Sequence, residues 1–172
     1  MKHLFMAAAT SLAATPVLAS PLTGTFASID GGTFAIEDWR GSPVLVVNTA
    51  SLCGFTHQYG ALQELQETYA DAGLVVVAIP SDDFRQELGS DEEVKDFCEV
   101  NFGLTIPMST ITPVRGRDAH PFYQTLREAG FTPNWNFNKV LVGPEGELVG
   151  TWRSTTSPLS RKITGEIEKL TD

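Results

Sequence analysis

Basic side chains are scarce: 12 lysines and arginines stand against 21 aspartates and glutamates, a net charge of −9. Nucleic-acid binding modules usually carry a basic face, so a phosphate-backbone partner is excluded. Histidine and cysteine are few as well, three and two. Structural zinc usually wants four Cys or His ligands at close spacing, whereas His3, His57 and His120 are scattered with no second cysteine near any of them. No metal centre is expected. Long apolar runs are also missing. The alanine-rich stretch from Leu4 to Ala14 falls short of the roughly 20 residues that cross a bilayer, so no stable membrane association is expected. There is no internal repeat and no low-complexity segment.

What is present suits one compact domain: 172 residues, 42% of them hydrophobic. The first 19 residues read as a targeting segment. Lys2 and His3 precede the short apolar run, and Val17-Leu18-Ala19 offers small residues for cleavage after Ala19. The mature domain, 20–172, is then expected to be exported, periplasmic or secreted, where disulfides persist.

The chain is organised around the stretch from Pro43 to Tyr59. Val44 to Val47 is an uninterrupted apolar run, as in a strand covered on both faces, and Leu62, Leu65 and Tyr69 then recur at helical spacing. Cys53 falls in the turn between them. A thiolate there faces unpaired backbone N–H groups and the positive end of a helix dipole. On position alone, Cys53 reads equally as a nucleophile or as a small buried residue.

The remaining elements follow from periodicity and punctuation. Asp30-Gly31-Gly32 is the turn of a hairpin over residues 25–39. A strand at 43–49, a helix at 57–72 and the apolar run from Leu74 to Ile79 make a strand-helix-strand unit with a parallel pair. Ser90 and Glu93 form a capping box that opens a helix carrying Val94, Phe97 and Cys98 on one face. A strand is expected at 108–112, a short helix at 121–128 and a second hairpin from 137–142 and 148–152. Ser157 and Pro158 read as the N-cap and first position of a last helix, whose stripe is Leu159, Ile163, Ile167 and Leu170. The fold class is α/β, a thioredoxin-like layered domain with an added N-terminal β-hairpin.

Four segments now carry a resemblance: Asn48 to Thr56 with its Cys-Gly-Phe-Thr, Pro80 to Glu87, Trp135-Asn136-Phe137-Asn138-Lys139, and Thr155 to Pro158. In this order they are similar to the successive signatures of the glutathione peroxidase family, over essentially the whole mature chain. The resemblance implies a thioredoxin fold and reduction of hydrogen peroxide and organic hydroperoxides, protecting against oxidative stress. It also implies a sulfur nucleophile at Cys53 assisted by Gln86, Trp135 and Asn136. Where the best-known animal members carry selenocysteine, this chain has cysteine. The chemistry fits. Only about 3% of a free thiol is ionised at pH 7, and neutral amide and indole donors stabilise both the sulfur anion and the oxyanion leaving as O–O breaks. No bound cofactor is expected.

The loop from Pro80 to Gly89 is one residue shorter than the family's usual Pro-Cys-Asn-Gln-Phe-Gly-Gly-Gln-Glu-Pro-Gly. It places Asp82 and Asp83 where carboxylates oppose a thiolate, with Arg85 as a possible offset. The family's cysteine-based, thioredoxin-dependent members resemble this chain in carrying a second cysteine where Cys98 stands, which implies a resolving role. The partners are a peroxide substrate and a thiol reductant, either a thioredoxin-type protein or glutathione. A monomer is expected. Two other classes stand beside this reading: an exported domain stapled by a Cys53–Cys98 disulfide, and a thioredoxin-like metal-delivery protein. The latter wants a second cysteine soon after Cys53, and Gly54 to Gly60 contains none.

Overall fold

The computed structural model describes residues 20–171. The expected targeting segment, residues 1–19, with its expected cleavage after Ala19, lies outside the described residues. A central sheet has the order β4-β3-β5-β6, formed by β3 (Val44–Thr49), β4 (Val75–Pro80), β5 (Lys139–Val142) and β6 (Leu148–Trp152). β3 runs parallel to β4, with Val44 opposite Val75, and antiparallel to β5, with Val44 opposite Val142. The helix between β3 and β4 is α1 (Gln58–Tyr69), the crossover that a parallel pair requires. A separate antiparallel hairpin, β1 (Thr25–Ala27) and β2 (Thr33–Ala35), precedes the sheet. The other helices are α2 (Asp91–Phe102), α3 (Pro121–Glu128) and α4 (Arg161–Thr171).

Every residue of β3 is buried, which explains its unbroken apolar run. Alternation along the strand then divides the core into two layers. Leu45 and Val47 pack with Leu62 and Leu65 of α1, Val94 and Cys98 of α2, and Ile163 and Ile167 of α4. Val44 and Val46 pack with Phe122 and Leu126 of α3 and with Phe26 and Ile36 beside the hairpin. Each such side chain contributes roughly 1.5–3 kcal/mol when fully buried. The layered thioredoxin-like domain with its added hairpin is the expected one.

Three local expectations are corrected. The segment 108–112 makes only isolated bridges, Met108 to Ala78 and Ser109 to Ser28, instead of a strand. The hydroxyls of Ser109 and Thr112 donate to the Thr110 carbonyl at 2.9 and 2.7 Å, and Thr110 N–H turns to Ala27, so the ladder is interrupted at Thr110 before Thr112 N–H returns to the Pro80 carbonyl at 2.8 Å. The last helix starts at Arg161, not at Pro158. Ser157 instead closes a turn, its carbonyl accepting Ser160 N–H at 3.0 Å, and the Ser160 carbonyl starts the helix by accepting Thr164 N–H at 3.0 Å. Leu159 is consequently 37% exposed and drops out of the apolar stripe. Finally, the hairpin pairing ends at Ile36, whose N–H donates to the Gly24 carbonyl at 3.0 Å, and the chain then turns through a 3-10 helix, Ile36–Trp39, with the Asp38 side chain accepting the Ala35 N–H at 2.8 Å.

Candidate active site

β3 delivers the chain to a turn that holds Cys53, 4% exposed, before α1 begins. Thr56 N–H donates to the Cys53 carbonyl at 3.1 Å, and Gln58 N–H to Phe55 at 2.9 Å, so tight turns lead from the cysteine into the helix. The thiol therefore stands ahead of the helix proper, at the end of a rigid strand. That turn is pinned from outside. Leu52 N–H donates to the Gln86 carbonyl at 2.8 Å, and Ser51 N–H donates to Glu87 Oε1 at 2.9 Å.

The Trp135-Asn136 segment is brought to the same place by a polar clamp. Asn48 at the end of β3 donates to the Trp135 carbonyl at 3.0 Å and accepts Asn138 N–H at 3.2 Å. Ser154 Oγ donates to the Asn136 carbonyl at 2.6 Å and accepts from Asn138 Nδ2 at 3.1 Å. Asn136 Nδ2 then donates to Gln86 Oε1 at 3.1 Å. With that oxygen occupied, the Gln86 Nε2 donors remain for an anion. The Trp135 ring, 41% exposed, packs on Phe84 with centroids 5.4 Å apart. Thus Gln86 and Asn136 are joined directly, and Gln86 is tied to the residue before Cys53. No hydrogen bond joins the Cys53 sulfur to Gln86, Trp135 or Asn136 in this state.

Backbone strain marks the same two segments. Among the described residues, the non-glycine residues at positive φ are Arg85, at +54°, and Phe137, at +58°. Each adjoins a member of the carboxamide pair. Arg85 occupies the left-handed conformation where the longer family loop offers Gly-Gly, so one arginine does the turning at a cost of about 1–2 kcal/mol. This is how the shortened loop still presents Gln86.

The acidic residues are arranged differently from expectation. Asp83 Oδ2 accepts Val114 and Arg115 N–H at 2.6 and 3.0 Å, so it anchors another loop. Asp82 Oδ1 accepts Glu87 N–H at 3.2 Å. Arg85 forms no ion pair among the described residues, and the cation over this loop is Arg115, 5.2 Å from the Phe84 ring centroid. The carboxylate tied to the cysteine turn is Glu87, buried and missed by sequence reasoning. Burial pushes its carboxyl up, against hydrogen bonds from Ser51 and Leu88.

Cys98 lies on α2, wholly buried in the apolar cluster that also contains Cys53, and both thiols are free. No staple joins them in this state. Burial pushes the Cys98 thiol up to about 11, opposed by the Tyr59 hydroxyl and reinforced by Glu87 and Glu99. The Tyr59 ring packs on Phe102 of α2 and Phe137, each 5.1 Å away between centroids. It thereby bridges α2 and the Asn136 segment. Lys139, a further residue that sequence reasoning left without a role, is wholly buried beside Gln58 and the Ser154 carbonyl. A lone lysine within the apolar run of β5 was the available signal. No group of three His, Cys, Asp or Glu that could hold a metal occurs among the described residues.

Residues 23–127 match the family model described as glutathione peroxidase. The chain is 38% identical over 148 residues to the glutathione peroxidase of Lactococcus lactis subsp. cremoris, covering 83% of this chain and 93% of that one. It is 40% identical over 147 residues to glutathione peroxidase-like peroxiredoxin 2 of Saccharomyces cerevisiae, covering 81% and 90%. In three dimensions it resembles a thioredoxin-family thiol:disulfide interchange protein from Chlorobium tepidum, with TM-score 0.69 at 15% identity over 92% of this chain and 100% of the other, a likeness of fold. Sequence kinship over most of its length and a thiol carried on this fold place the chain in the glutathione peroxidase family, as a thiol peroxidase.

Proposed function

We propose that Cys53 is the peroxidatic nucleophile, with Gln86, Trp135 and Asn136 as the donors to its charged sulfur. The supporting observation is the direct tie of the cysteine turn to Gln86, whose carboxamide is held by Asn136. The thiolate attacks one peroxide oxygen, the O–O bond breaks, and the departing oxygen leaves as water or an alcohol once protonated. Neutral N–H donors fixed in place favour the charge that develops there. Cys53 becomes a sulfenic acid. The Cys98 thiol then condenses with it, forming a disulfide and releasing water.

A reductant closes the cycle by thiol–disulfide exchange. A second thiol in the chain favours a thioredoxin-type protein over glutathione, in keeping with the yeast relative's description as a peroxiredoxin. We place the enzyme outside the cytoplasm, on the targeting segment at residues 1–19, and working as a monomer. Coupled turnover with hydrogen peroxide tests the reductant: a thioredoxin-type donor supports cycling, glutathione does so at least tenfold more slowly, and Cys98→Ser loses the thioredoxin-supported rate. Unchanged thioredoxin-supported turnover of Cys98→Ser would reduce Cys98 to a packing residue.

A further inference from the structure

Among the described residues, Lys139 is the one lysine or arginine that is buried. It sits in β5, opposite Val47 of β3 and Trp152 of β6, and is followed by the apolar Val140, Leu141 and Val142. Its amine meets no carboxylate among the described residues. Burial lowers its pKa to about 7, so the charge is held away from water at a cost. Stability alone would be served as well or better by an apolar side chain of the same length.

What the amine does is visible in its hydrogen bonds. Lys139 Nζ donates to Gln58 Oε1 and to the Ser154 carbonyl, the latter at 3.3 Å. Gln58 Nε2 donates to the same carbonyl at 2.7 Å, which closes a buried triangle of Lys139, Gln58 and Ser154. One corner leads to the nucleophile. Gln58 opens α1, and its N–H holds the carbonyl of Phe55 at 2.9 Å, in the turn that carries Cys53. Another corner leads to the donors. Ser154 Oγ donates to the Asn136 carbonyl at 2.6 Å, and Asn136 Nδ2 holds Gln86 Oε1 at 3.1 Å. Asn48 ties the Asn136 segment to β3, whereas the Lys139 triangle is its polar tie to α1.

We propose that Lys139 is a positioning residue of the peroxidatic step, holding Gln58 against Ser154 so that the Asn136 segment keeps its place beside the turn of Cys53. The inference rests on Cys53 as the nucleophile and Asn136 as a donor. Donors stabilise the oxygen leaving from the peroxide only from a fixed distance, and a misplacement of about 1 Å can cost about 10²-fold. Lys139 touches neither the sulfur nor the peroxide. It acts through Ser154 and Asn136, and the penalty of burying it is the cost of that rigidity.

The test is a double-mutant cycle on the full chain: wild type, Lys139→Met, Asn136→Ala and the double variant, at equal folded concentration. Methionine keeps the length and removes the penalised charge, so the urea midpoint of Lys139→Met at pH 7 should match or exceed that of the wild type. The second-order rate of Cys53 oxidation by hydrogen peroxide should nevertheless fall about tenfold. In the Asn136→Ala background the same substitution should cost no more than about twofold, because the donor it positions is already gone. A general loosening of the fold would slow both backgrounds alike. Alkylation of Cys53 by iodoacetamide, which has no leaving oxygen to be held, should slow less than oxidation does. Oxidation of Lys139→Met at the wild-type rate overturns the inference alone, as does an undiminished tenfold loss in the Asn136→Ala background. Alkylation slowed as much as oxidation also overturns it, by placing the effect on the turn of Cys53 instead of the donors. Should Lys139→Met not fold, Gln58→Met breaks the same triangle from α1, and its oxidation at the wild-type rate overturns the inference. An unchanged rate in Asn136→Ala overturns it together with the donor role of Asn136.

Discussion

Asn136 is wholly buried, and its Nδ2 holds the Gln86 oxygen at 3.1 Å. Asn136→Ala therefore removes one donor and releases another. The second-order rate of Cys53 oxidation should fall about 10²-fold, read by stopped-flow with hydrogen peroxide. An unchanged rate would take Asn136 out of the site. Lys139 gives a pH signature instead. Burial lowers its pKa to about 7, so between there and the ordinary lysine range the unfolded chain binds the extra proton. Stability must then rise with pH across that window, because the charged form is penalised only in the folded state. Denaturant midpoints from pH 7 to 10 should climb, and the Lys139-dependent part should vanish in Lys139→Met. At this scale, the candidates Cys53, Gln86, Trp135 and Asn136 could be picked out because they sit in recognisable motifs. Glu87, Asn48 and Ser154 were not, since their partners lie 36, 90 and 18 positions away along the chain.

Among the elements, the shortened Pro80–Gly89 loop and α2 have the most to do with function. Arg85 at φ +54° carries strain that glycine would not. Arg85→Gly should raise stability by up to about 1 kcal/mol, part of the relief being lost to the freer unfolded chain. Urea melts would show it. A midpoint lowered in Arg85→Gly would mean the arginine side chain, not the backbone, sets the loop. Strands β3 and β4 were readable from their apolar runs, and α3 from its Pro start and Gly stop. The 108–112 segment misled because Met108 and Ser109 make isolated bridges and Thr110 a hairpin contact, and periodicity cannot tell a bridge from a ladder. The start of α4 misled because Ser-Pro caps a turn as readily as a helix.

On the scale of the whole molecule, the proposed disulfide requires a buried Cys98 to reach a cysteine on another element. Bridged cysteines need Cα atoms about 6 Å apart. The helix is held by Ser90 at its N-cap, by Asp91 accepting Ile111 N–H at 2.7 Å, and by Lys95 paired with Asp30. The proposed resolving role of Cys98 calls for local opening of α2, and hydrogen exchange in 91–102 should then quicken in the oxidised enzyme relative to the reduced one. Exchange equally slow in both would mean the disulfide forms without unwinding. The fold that sets this up was visible in outline from the strand-helix-strand unit and two hairpins. Which helices share the Cys53 face, namely α1, α2 and α4, came only from packing. The peroxidase itself stands or falls on one sulfur. Peroxide consumption by wild type and Cys53→Ser, measured over a single turnover at equal folded concentration, should be one equivalent for the wild type and none for the variant. Consumption of peroxide by Cys53→Ser at the wild-type rate would contradict it.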